Sequence, residues 1–528
     1  MRFLTILLFS LLITGCAKRG FITGGLKDTI SPVLKISDPK NYSTHFDAKE
    51  IKLHFDEYIK LKDVNKQLIV SPLMKHAPTI SPSFASKTIT IKINDTLLPN
   101  TTYSLNFGKS IQDNNEGNPY QQFKYVFSTG SYIDSLTVVG SIKDAFYPNP
   151  DNFVSIHLYE YNEKFYDSII YKENPRYITN TLDSASTFKL ENLKEGKYIL
   201  VALKDNNNNY KFDPKNDKIA FFSEPITVPE NSFYEMELFQ EELPFKAIRA
   251  TQASGNKLIV GHEGKPKNVA VKLFNGTTEL DTKISKVEGK DSLQIWYPMQ
   301  KTDSLKLQLK SKNYEKDFMV KLKNMKVDTL SVGLQPTGSV NFRDTLSLKT
   351  STPLSKWDET KIELRNKDSI LIPVTTKYNA EKQFLQLLFK KEERENYKLT
   401  LLPNAVTDMF EKTNDSMSFK FNTRNISDYG NLTLKIVGAK SYPIIVQLTD
   451  NKGKTLAESY ATNSDNVNFD LLQPNKFTVR IIYDNNKNGI WDTGSYLEKR
   501  QTEEVYYYPT SIEVRSNWDV EQTINVGG

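Results

Sequence analysis

The side chains best suited to chemistry in this chain are the oxygen-bearing residues of segment 484–492. The segment reads Asp-Asn-Asn-Lys-Asn-Gly-Ile-Trp-Asp, with oxygen ligands at loop positions 1, 3, 5 and 9 and glycine at position 6. This pattern is typical of the first part of a calcium-binding loop, in which alternate residues point inward and the glycine permits a sharp bend. Position 12 is Ser495, where such loops have a bidentate glutamate, so only two carboxylates are present unless Glu498 supplies another. The candidate ligands are Asp484, Asn486, Asn488, Ile490 and Asp492.

A weaker copy of the pattern occurs in segment 205–213, which lacks the glycine. Its candidate ligands are Asp205, Asn207, Asn209 and Asp213, with Asn216 and Asp217 close enough in sequence to complete a site. For both segments the alternative is a hairpin loop whose Asp and Asn side chains cap their own backbone. Both interpretations are open, so calcium is a candidate ligand and no cofactor is required. A third run, segment 113–118, is predicted to be a turn.

The residue types needed for catalysis are present, but their spacing does not predict a catalytic site. None of the five histidines belongs to an HExxH or similar metal-binding spacing, and the single cysteine excludes a CxxC site. The sequence has no Gly-x-Ser-x-Gly nucleophile motif. Neighbouring acids such as Asp56-Glu57 and Glu503-Glu504 would face opposite sides of a strand. We predict that the protein is not an enzyme; the alternative is a site assembled from distant loops.

Charge and aromatic content narrow the range of ligands. The formal net charge is +6, but 69 basic and 63 acidic residues are intermixed, without a basic stripe carrying interleaved aromatics. We therefore predict no nucleic-acid partner. The clusters Trp296-Tyr297 and Tyr506-Tyr507-Tyr508 offer ring faces of the kind that stack on sugars, but strand alternation is expected to bury part of each cluster in a core.

The first 16 residues resemble the export signal of a bacterial lipoprotein. The apolar run 3–13 is about 11 residues long, whereas a helix needs roughly 20 to cross the hydrocarbon core. Ile13-Thr14-Gly15-Cys16 resembles a lipobox, and Cys16 is the only cysteine in the chain. We expect residues 1–15 to be removed, Cys16 to be lipidated, and the glycine-bearing segment 16–30 to form a flexible tether.

Strand-like alternation dominates the remaining sequence, and two of its patterns repeat. Tyr103 to Thr129 and Tyr397 to Thr423 mark hairpin patterns of equal length. Segments 197–209 and 476–488 share a strand that runs directly into an Asp-Asn loop. The predicted fold class is all-β, and short linkers between sandwiches predict an elongated array. The predicted divisions, called units 1 to 5 below, are 31–131, 132–240, 241–335, 336–424 and 425–528.

Unit 1 resembles a bacterial Ig-like domain of the kind found near the N-termini of Bacteroidota envelope lipoproteins. The residues that carry the resemblance are Asp28–Pro32, Phe55–Glu57, Leu98–Tyr103, Ile111–Asp113, Gly117-Asn118 and Phe127–Thr129. Unit 4 has the strand spacing of a second Ig-like domain, although Thr350-Ser351 replaces Phe55-Asp56. Units 2 and 5 are similar to transthyretin-like or carboxypeptidase-regulatory-like sandwiches, and unit 3 is predicted to be a further β-domain. These resemblances imply fold and compartment rather than activity.

The anchor, the repeated sandwiches and the missing catalytic spacings predict a non-catalytic, lipid-anchored scaffold or protein-binding lipoprotein of the cell envelope. The expected partners are the membrane, through the lipid on Cys16, and an outer-membrane protein complex. The alternative function is that of a glycan-binding lipoprotein in a polysaccharide-uptake system. Ala17-Lys18-Arg19 follow the cysteine where surface-exported lipoproteins carry acidic residues. This difference favours the periplasmic face of the outer membrane over the cell surface.

Overall fold

The computed structural model describes residues 28–181, 186–230, 232–312 and 314–527. Cys16, the export signal and most of the tether lie outside these ranges. Nearly all regular structure within them is β-strand, which confirms the predicted all-β class. The exceptions in the described ranges are one α-helical turn, α1 (Val64–Gln67), and 3-10 turns at Asp167–Tyr171, Glu359–Lys361 and Ile426–Asp428. No described helix has the length and apolar character needed to span a membrane.

Unit 1 folds into two facing sheets around an aromatic core. Its strands are β1 (Leu34–Asp38), β2 (Glu50–Leu61), β3 (Ile69–Ser71), β4 (Thr79–Ser81), β5 (Ser86–Lys92), β6 (Thr102–Asn106), β7 (Ile111–Asp113) and β8 (Lys124–Ser128). One sheet has the order β1-β2-β5-β4, with β7 also on β2, and the other has the order β3-β6-β8. Period-2 alternation in β2 buries Ile51, Leu53 and Phe55 between the sheets.

Unit 2 pairs a mixed sheet with an antiparallel one. Its strands are β9 (Leu136–Asp144), β10 (Ser155–Glu160), β11 (Tyr177–Asn180), β12 (Thr187–Leu193), β13 (Gly196–Lys204), β14 (Lys218–Phe221), β15 (Ile226–Val228) and β16 (Phe233–Leu238). The antiparallel sheet has the order β11-β10-β13-β14, with β15 also on β13. In the order β12-β9-β16, strand β16 runs parallel to β9.

Unit 3 is a sandwich of two four-stranded antiparallel sheets. Its strands are β17 (Lys246–Ser254), β18 (Lys257–Glu263), β19 (Ala270–Asn275), β20 (Thr278–Leu280), β21 (Lys283–Lys286), β22 (Ser292–Trp296), β23 (Ser304–Ser311) and β24 (Tyr314–Lys321). The sheet orders are β17-β18-β22-β21 and β20-β19-β23-β24. Alternation in β23 directs Leu305, Leu307 and Leu309 into the core, as the sequence predicts.

Unit 4 repeats the arrangement of unit 1. Its strands are β25 (Val332–Gln335), β26 (Gly338–Ser339), β27 (Leu346–Thr350), β28 (Leu354–Trp357), β29 (Ile362–Arg365), β30 (Leu371–Ile372), β31 (Thr375–Asn379), β32 (Phe384–Leu388), β33 (Asn396–Leu401), β34 (Val406–Asp408) and β35 (Met417–Asn422). Their orders are β25-β27-β32-β31, β26-β35-β33-β29-β30 and β28-β34. Because β25 pairs with β27, the strand at 332–335 belongs to the sheet of unit 4.

The equal spacing of the two predicted hairpins reflects equal pairing. Tyr103 lies opposite Phe127, and their rings stack with centroids 5.4 Å apart. Tyr397 lies opposite Phe421, and those rings stack at 5.1 Å. The hairpin prediction is therefore confirmed in both units, because each tyrosine–phenylalanine pair joins adjacent strands and fills the core.

Unit 5 repeats the arrangement of unit 2. Its strands are β36 (Gly430–Val437), β37 (Ile444–Thr449), β38 (Thr455–Ala461), β39 (Asn466–Leu472), β40 (Asn475–Tyr483), β41 (Val505–Tyr507), β42 (Ile512–Val514) and β43 (Asp519–Asn525). The order β38-β37-β40-β41, with β42 also on β40, matches that of β11-β10-β13-β14 with β15. Strand β43 runs parallel to β36, as β16 does to β9.

The units are joined by contacts that form a closed circuit. Unit 1 contacts unit 2 through Ser71 and Ile178. Units 2 and 3 are joined by Lys215–Glu263, units 3 and 4 by Lys349–Glu288, and units 4 and 5 by Tyr429–Asn341. Tyr507 of unit 5 contacts Phe146 of unit 2 and so closes a circuit of units 2 to 5. The chain is thus the predicted tandem array of sandwiches, with a further contact between units 5 and 2 that the sequence did not predict. The linkers are short, yet unit 5 turns back and buries side chains against unit 2.

Candidate functional site

The loop that follows β40 is closed by the side chain of Asp484. One carboxylate oxygen accepts the N–H of Asn488 at 3.0 Å, and the other accepts the N–H of Gly489 at 2.8 Å. The second oxygen also accepts the hydroxyl of Tyr460 at 2.8 Å. Gly489 has a φ of 76°, the left-handed conformation that a glycine adopts without strain. The predicted sharp bend is therefore present, and main-chain N–H groups fill both oxygens of its first residue.

The pKa of the Asp484 carboxyl reflects two opposing effects. Burial raises the pKa, because the charged form loses its contact with water. The hydrogen bonds from Gly489, Tyr460 and Asn488 favour the charged form, and the net result is a pKa below the usual value. Asp484 is consequently an ionised, buried cap that holds the loop together.

The other predicted ligands of this loop bind one another. The amide nitrogens of Asn486 and Asn488 donate to one oxygen of Asp492, at 2.6 and 2.5 Å. The amide oxygen of Asn488 accepts the N–H of Ile490, whose side chain is exposed. The loop thus brings Asp484, Asn486, Asn488 and Asp492 together, and their polar groups form hydrogen bonds within the loop.

The acidic residue that completes this loop is Glu503, which the sequence pattern did not identify. Its two oxygens accept the N–H groups of Asn485 at 2.8 Å and Asp492 at 3.0 Å. Burial raises the pKa of Glu503, and the hydrogen bonds oppose that rise only in part. Glu498, the residue suggested by sequence distance, is exposed and pairs with Arg500 at 3.3 Å. Glu503 is distant in sequence because the intervening residues leave the loop and return.

The loop of unit 2 is also capped by its first aspartate and by a second acid. The oxygens of Asp205 accept the N–H groups of Asn207 at 3.0 Å and Tyr210 at 2.7 Å. Asp217, fully buried, accepts the N–H groups of Asn206 and Asp213, both at 2.9 Å. Burial raises the pKa of Asp217 as it raises that of Glu503.

The remaining members of this loop also cap local groups. Asn209 accepts the N–H of Lys211 at 2.9 Å, and Asp213 accepts the amide of Asn216 at 2.7 Å. Asp217 and Glu503 are therefore equivalent, because each caps the residues one and eight positions after the first aspartate of its loop.

The geometry of the two loops is that of self-capped turns. Within the described ranges no group of three or more His, Cys, Asp and Glu side chains is arranged to hold a metal ion. The carboxylate oxygens that calcium would use at positions 1 and 9 accept N–H groups instead. Calcium binding at either loop stays a prediction. Segment 113–118 forms the predicted turn, in which Asp113 accepts the N–H groups of Glu116, Gly117 and Asn118.

Residues 491–504 of unit 5, which we call the clasp, extend from the Asp484 loop onto unit 2. Tyr496 is fully buried, and its ring lies 5.2 Å from that of Phe221 and 6.4 Å from that of Tyr171. Gln501 donates to the carbonyl of Phe221 at 2.9 Å. Thr493 donates to the carbonyl of Gln240 at 2.6 Å. A side chain of unit 5 therefore completes a hydrophobic cluster of unit 2.

A second contact between these units surrounds Phe146. The guanidinium of Arg480 lies 4.1 Å from the centre of the Phe146 ring, and the Trp491 ring lies 4.6 Å from it. Arg480 is only 2% exposed and donates to Gln447, Tyr507 and Thr455. The cation–π contact thus holds a buried charge whose hydrogen-bond acceptors are neutral.

The sequence contains a signal for this contact that simple alternation misses. Strand β13 has an unbroken apolar run, Tyr198 to Leu203, and all six residues are buried. Tyr198, Leu200 and Ala202 face the sandwich core, whereas Ile199, Val201 and Leu203 belong to the cluster that Tyr496 enters. A strand with one solvated face would alternate, so an apolar run in an antiparallel sheet indicates that the outer face is covered.

The aromatic clusters considered for sugar binding are largely buried. Trp296 and Tyr297 are 1% and 0% exposed, and the Trp296 indole donates to Ser285 at 2.9 Å. In the other cluster Tyr507 contacts Phe146, while Tyr506 and Tyr508 pack against the core of unit 5. Core packing, the expected role, is found for Tyr297, Tyr506 and Tyr508. Trp296 lies beside Phe410 of unit 4, and Tyr507 contacts unit 2.

Comparison with known proteins supports the fold of unit 1. Residues 28–129 match the family model described as a bacterial Ig-like domain. No curated protein matches the chain. A titin fragment shares 12% identity, with 34% of this chain and 97% of the fragment covered and a TM-score of 0.14. Domains 1–6 of the surface layer protein SbsC share 11% identity, with 86% and 64% covered and a TM-score of 0.15. Similarities at these scores define neither the arrangement of the units nor a function.

Proposed function

We propose that this protein is a non-catalytic, lipid-anchored scaffold of the bacterial cell envelope that holds a protein partner at the outer membrane. The observation that carries the proposal is the clasp, which buries Tyr496 of unit 5 in unit 2. Units joined only by linkers move relative to one another, unless an extensive apolar contact holds them. The clasp supplies that contact, so units 2 to 5 form one body with fixed outer surfaces.

The described residues favour a binding role over a catalytic one. Burial lowers the pKa of His157 to about 3, so this histidine is neutral and unsuited to proton transfer near neutral pH. His54 lies beside Thr88, with Nδ1 and Oγ1 2.9 Å apart. The acids with raised pKa in the two loops, Asp217 and Glu503, cap main-chain N–H groups and are nearly inaccessible to a substrate.

Attachment to the membrane is proposed through a lipid on Cys16, at the periplasmic face of the outer membrane. Acyl chains contribute roughly 0.8 kcal/mol per buried CH₂, so several chains make the attachment effectively permanent. Substitution Cys16→Ser should move the protein from the membrane fraction to the soluble fraction. Protease added to intact cells should leave the wild-type protein uncut, and its digestion would favour the cell surface.

One edge of unit 5 has the features of a strand that accepts a partner. Strand β38 pairs only with β37 among the described strands, and its residues Leu456 and Tyr460 are 42% and 43% exposed. An added strand from a partner would pair with the free main-chain groups and cover these side chains. An outer-membrane barrel, or the machinery that assembles or uses such barrels, is the kind of partner proposed.

The test is purification of the tagged full-length lipoprotein in gentle detergent, with co-purifying proteins identified by mass spectrometry. We expect an outer-membrane protein in stoichiometric amount with the wild type and with Leu497→Ala, whose side chain is exposed within the clasp. Tyr496→Ala should lose that partner, because the surfaces of units 2 and 5 are no longer held together. Recovery of the lipoprotein alone, in several detergents and after crosslinking, would contradict the scaffold proposal.

A further inference from the structure

A groove follows the junction of units 1 and 2. It consists of three cavities of about 520, 590 and 290 Å³. The first two share Met74 and Asn174 in their walls, and the last two share Asn208 and Tyr210, so the cavities adjoin one another. Ligand sites occur preferentially at junctions between domains and have volumes of this order.

The two units that form the groove contact each other directly beside it. Strands β3 and β11 meet edge to edge, with the N–H of Ile178 donating to the hydroxyl of Ser71 at 3.1 Å. The wall from unit 1 includes α1, and the wall from unit 2 includes the Asp205 loop. The loop that is self-capped on its inner side therefore presents Asn208 and Tyr210 to the groove.

Amide groups line the groove without partners of their own. The side chains of Asn65, Asn174 and Asn208 are exposed, and none makes a side-chain hydrogen bond to any described residue. Each amide offers two donors and one acceptor oxygen. This combination suits neighbouring hydroxyl groups of a sugar, which donate and accept at the same time.

The charges along the groove are predominantly positive. Lys66, Lys75 and Lys164 line it, and in the described part of the chain no carboxylate lies within ion-pair distance of their ammonium groups. Arg176 has a carboxylate partner, Glu160, at 3.4 Å. Lys204 is a fifth basic residue in the lining, and the acidic residues there are Glu160, Glu173 and Asp205. The excess of five basic over three acidic side chains favours a ligand that carries anionic groups.

The floor of the first cavity combines apolar surface with one unsatisfied polar group. Phe165 and Ile169 are half-buried beside it. Tyr159 also lines the cavity, and its buried hydroxyl has no hydrogen-bond partner among the described residues. Because this hydroxyl is buried, the cavity offers a ligand the apolar surface of Phe165 and Ile169 rather than the Tyr159 hydroxyl.

We propose that this groove binds an acidic oligosaccharide. The asparagine amides would form hydrogen bonds with the sugar hydroxyl groups, and the three ammonium groups would bind its carboxylates or phosphates. Phe165 and Tyr210 would contact the apolar faces of the sugar rings. A uronate-bearing polysaccharide and the phosphorylated core of a membrane glycolipid share this chemistry. The site is separate from the surfaces invoked for the scaffold, so it stands or falls independently of them.

Binding is measured by calorimetry on the full-length protein in detergent. The acidic probes are an oligomannuronate hexasaccharide and a lipid-free phosphorylated core oligosaccharide, which distinguish the two sources. Mannohexaose, a neutral sugar, tests whether the charge is needed, and hexaglutamate, an anionic peptide, tests whether the sugar is needed. We expect saturable binding of at least one acidic oligosaccharide and affinities lower by about tenfold or more for the other two probes, a difference of about 1.4 kcal/mol.

Two pairs of substitutions locate the site. Lys75→Gln with Lys164→Gln should weaken binding by about tenfold or more, whereas Lys301→Gln with Lys452→Gln, which removes the same charge from exposed positions elsewhere, should not. Asn65→Ala with Asn174→Ala should also weaken binding, without any change of charge. The proposal is overturned if neither acidic oligosaccharide binds, if hexaglutamate binds as tightly, or if both lysine pairs have the same effect.

Discussion

The loops of units 2 and 5 are capped in the same way, by their first aspartate and a closing acid, but have very different surroundings. Each begins with an aspartate that accepts main-chain N–H groups, and each is completed by a buried acid, Asp217 or Glu503. The unit 2 loop returns to the sheet at Lys218, while the unit 5 loop returns only at Val505.

The residues added to the unit 5 loop determine its role. They carry Trp491 and Tyr496, and so they turn a surface turn into a contact between units. The unit 2 loop has no such extension, and it lines an open groove. A shared motif thus fixes the shape of a loop, whereas the length of chain before the return strand fixes what the loop contacts.

The largest effect is expected from breaking the clasp at Tyr496. Tyr496→Ala removes a large, fully buried ring and should lower the free energy of unfolding by about 3–5 kcal/mol. Thermal melting should show the loss, and limited proteolysis should cut between units 4 and 5 sooner. Leu497→Ala is the control, because its exposed side chain should change the stability by about 0.5 kcal/mol or less. Equal melts for the two variants would mean that the clasp does not hold unit 5.

A smaller difference is expected between the first aspartates of the two loops. Asp484→Ala removes a buried carboxylate that accepts the N–H groups of Asn488 and Gly489 and the hydroxyl of Tyr460, at a cost of about 2–3 kcal/mol. Asp205 is half-exposed, so water can replace it, and Asp205→Ala should cost about 1 kcal/mol. Urea denaturation of both variants measures the difference. A larger loss for Asp205→Ala would show that burial does not distinguish the loops.

The sequence predicts the strands and the repeats better than it predicts how units meet. Period-2 alternation and the equal hairpin lengths lead directly to the stacked pairs Tyr103–Phe127 and Tyr397–Phe421. The contact between units 2 and 5 joins residues more than 200 positions apart, and no local pattern specifies its partner. Only the apolar run of β13 signals that its outer face is covered.

For the candidate site, as for the fold, the sequence predicts the local structure but not the contacts between distant residues. The Asp-Asn pattern identifies both loops and their bends, because alternate side chains and a glycine act locally. The sequence pattern identifies only one of the two closing acids: Asp217 lies next to the unit 2 loop in sequence, whereas Glu503 lies near the end of the clasp. The path of the loop in three dimensions determines which donors form hydrogen bonds with the carboxylate oxygens, and the sequence pattern does not specify that path.

The acids of the unit 5 loop should give opposite pH dependences. The pKa of Asp484 is lowered in the folded state, so its stabilisation is present above the unfolded value near 3.8 and is lost as the pH falls through the folded pKa. The pKa of Glu503 is raised, so stability falls as the pH rises from 4.5 through the folded pKa.

Asp484→Asn should therefore flatten the acid side of the stability profile, and Glu503→Gln should flatten the decline above pH 4.5. Denaturant titrations across this range measure both slopes. Parallel profiles for wild type and both variants would show that neither carboxyl titrates differently on folding.

The smallest effect is expected from calcium, because both loops already satisfy their carboxylates. Chelator should leave the wild-type fold intact, and millimolar calcium should raise the melting temperature only if the ion competes with the N–H groups that fill the oxygens of Asp484 and Asp205. A ligand present at 100 times its Kd adds about 2.7 kcal/mol to stability, so a tight site would give a readily measured shift. A shift that disappears in Asp484→Asn but persists in Asp205→Asn would place the ion in the unit 5 loop. Identical melting temperatures in chelator and in calcium would show that neither loop binds calcium and that both are self-capped turns.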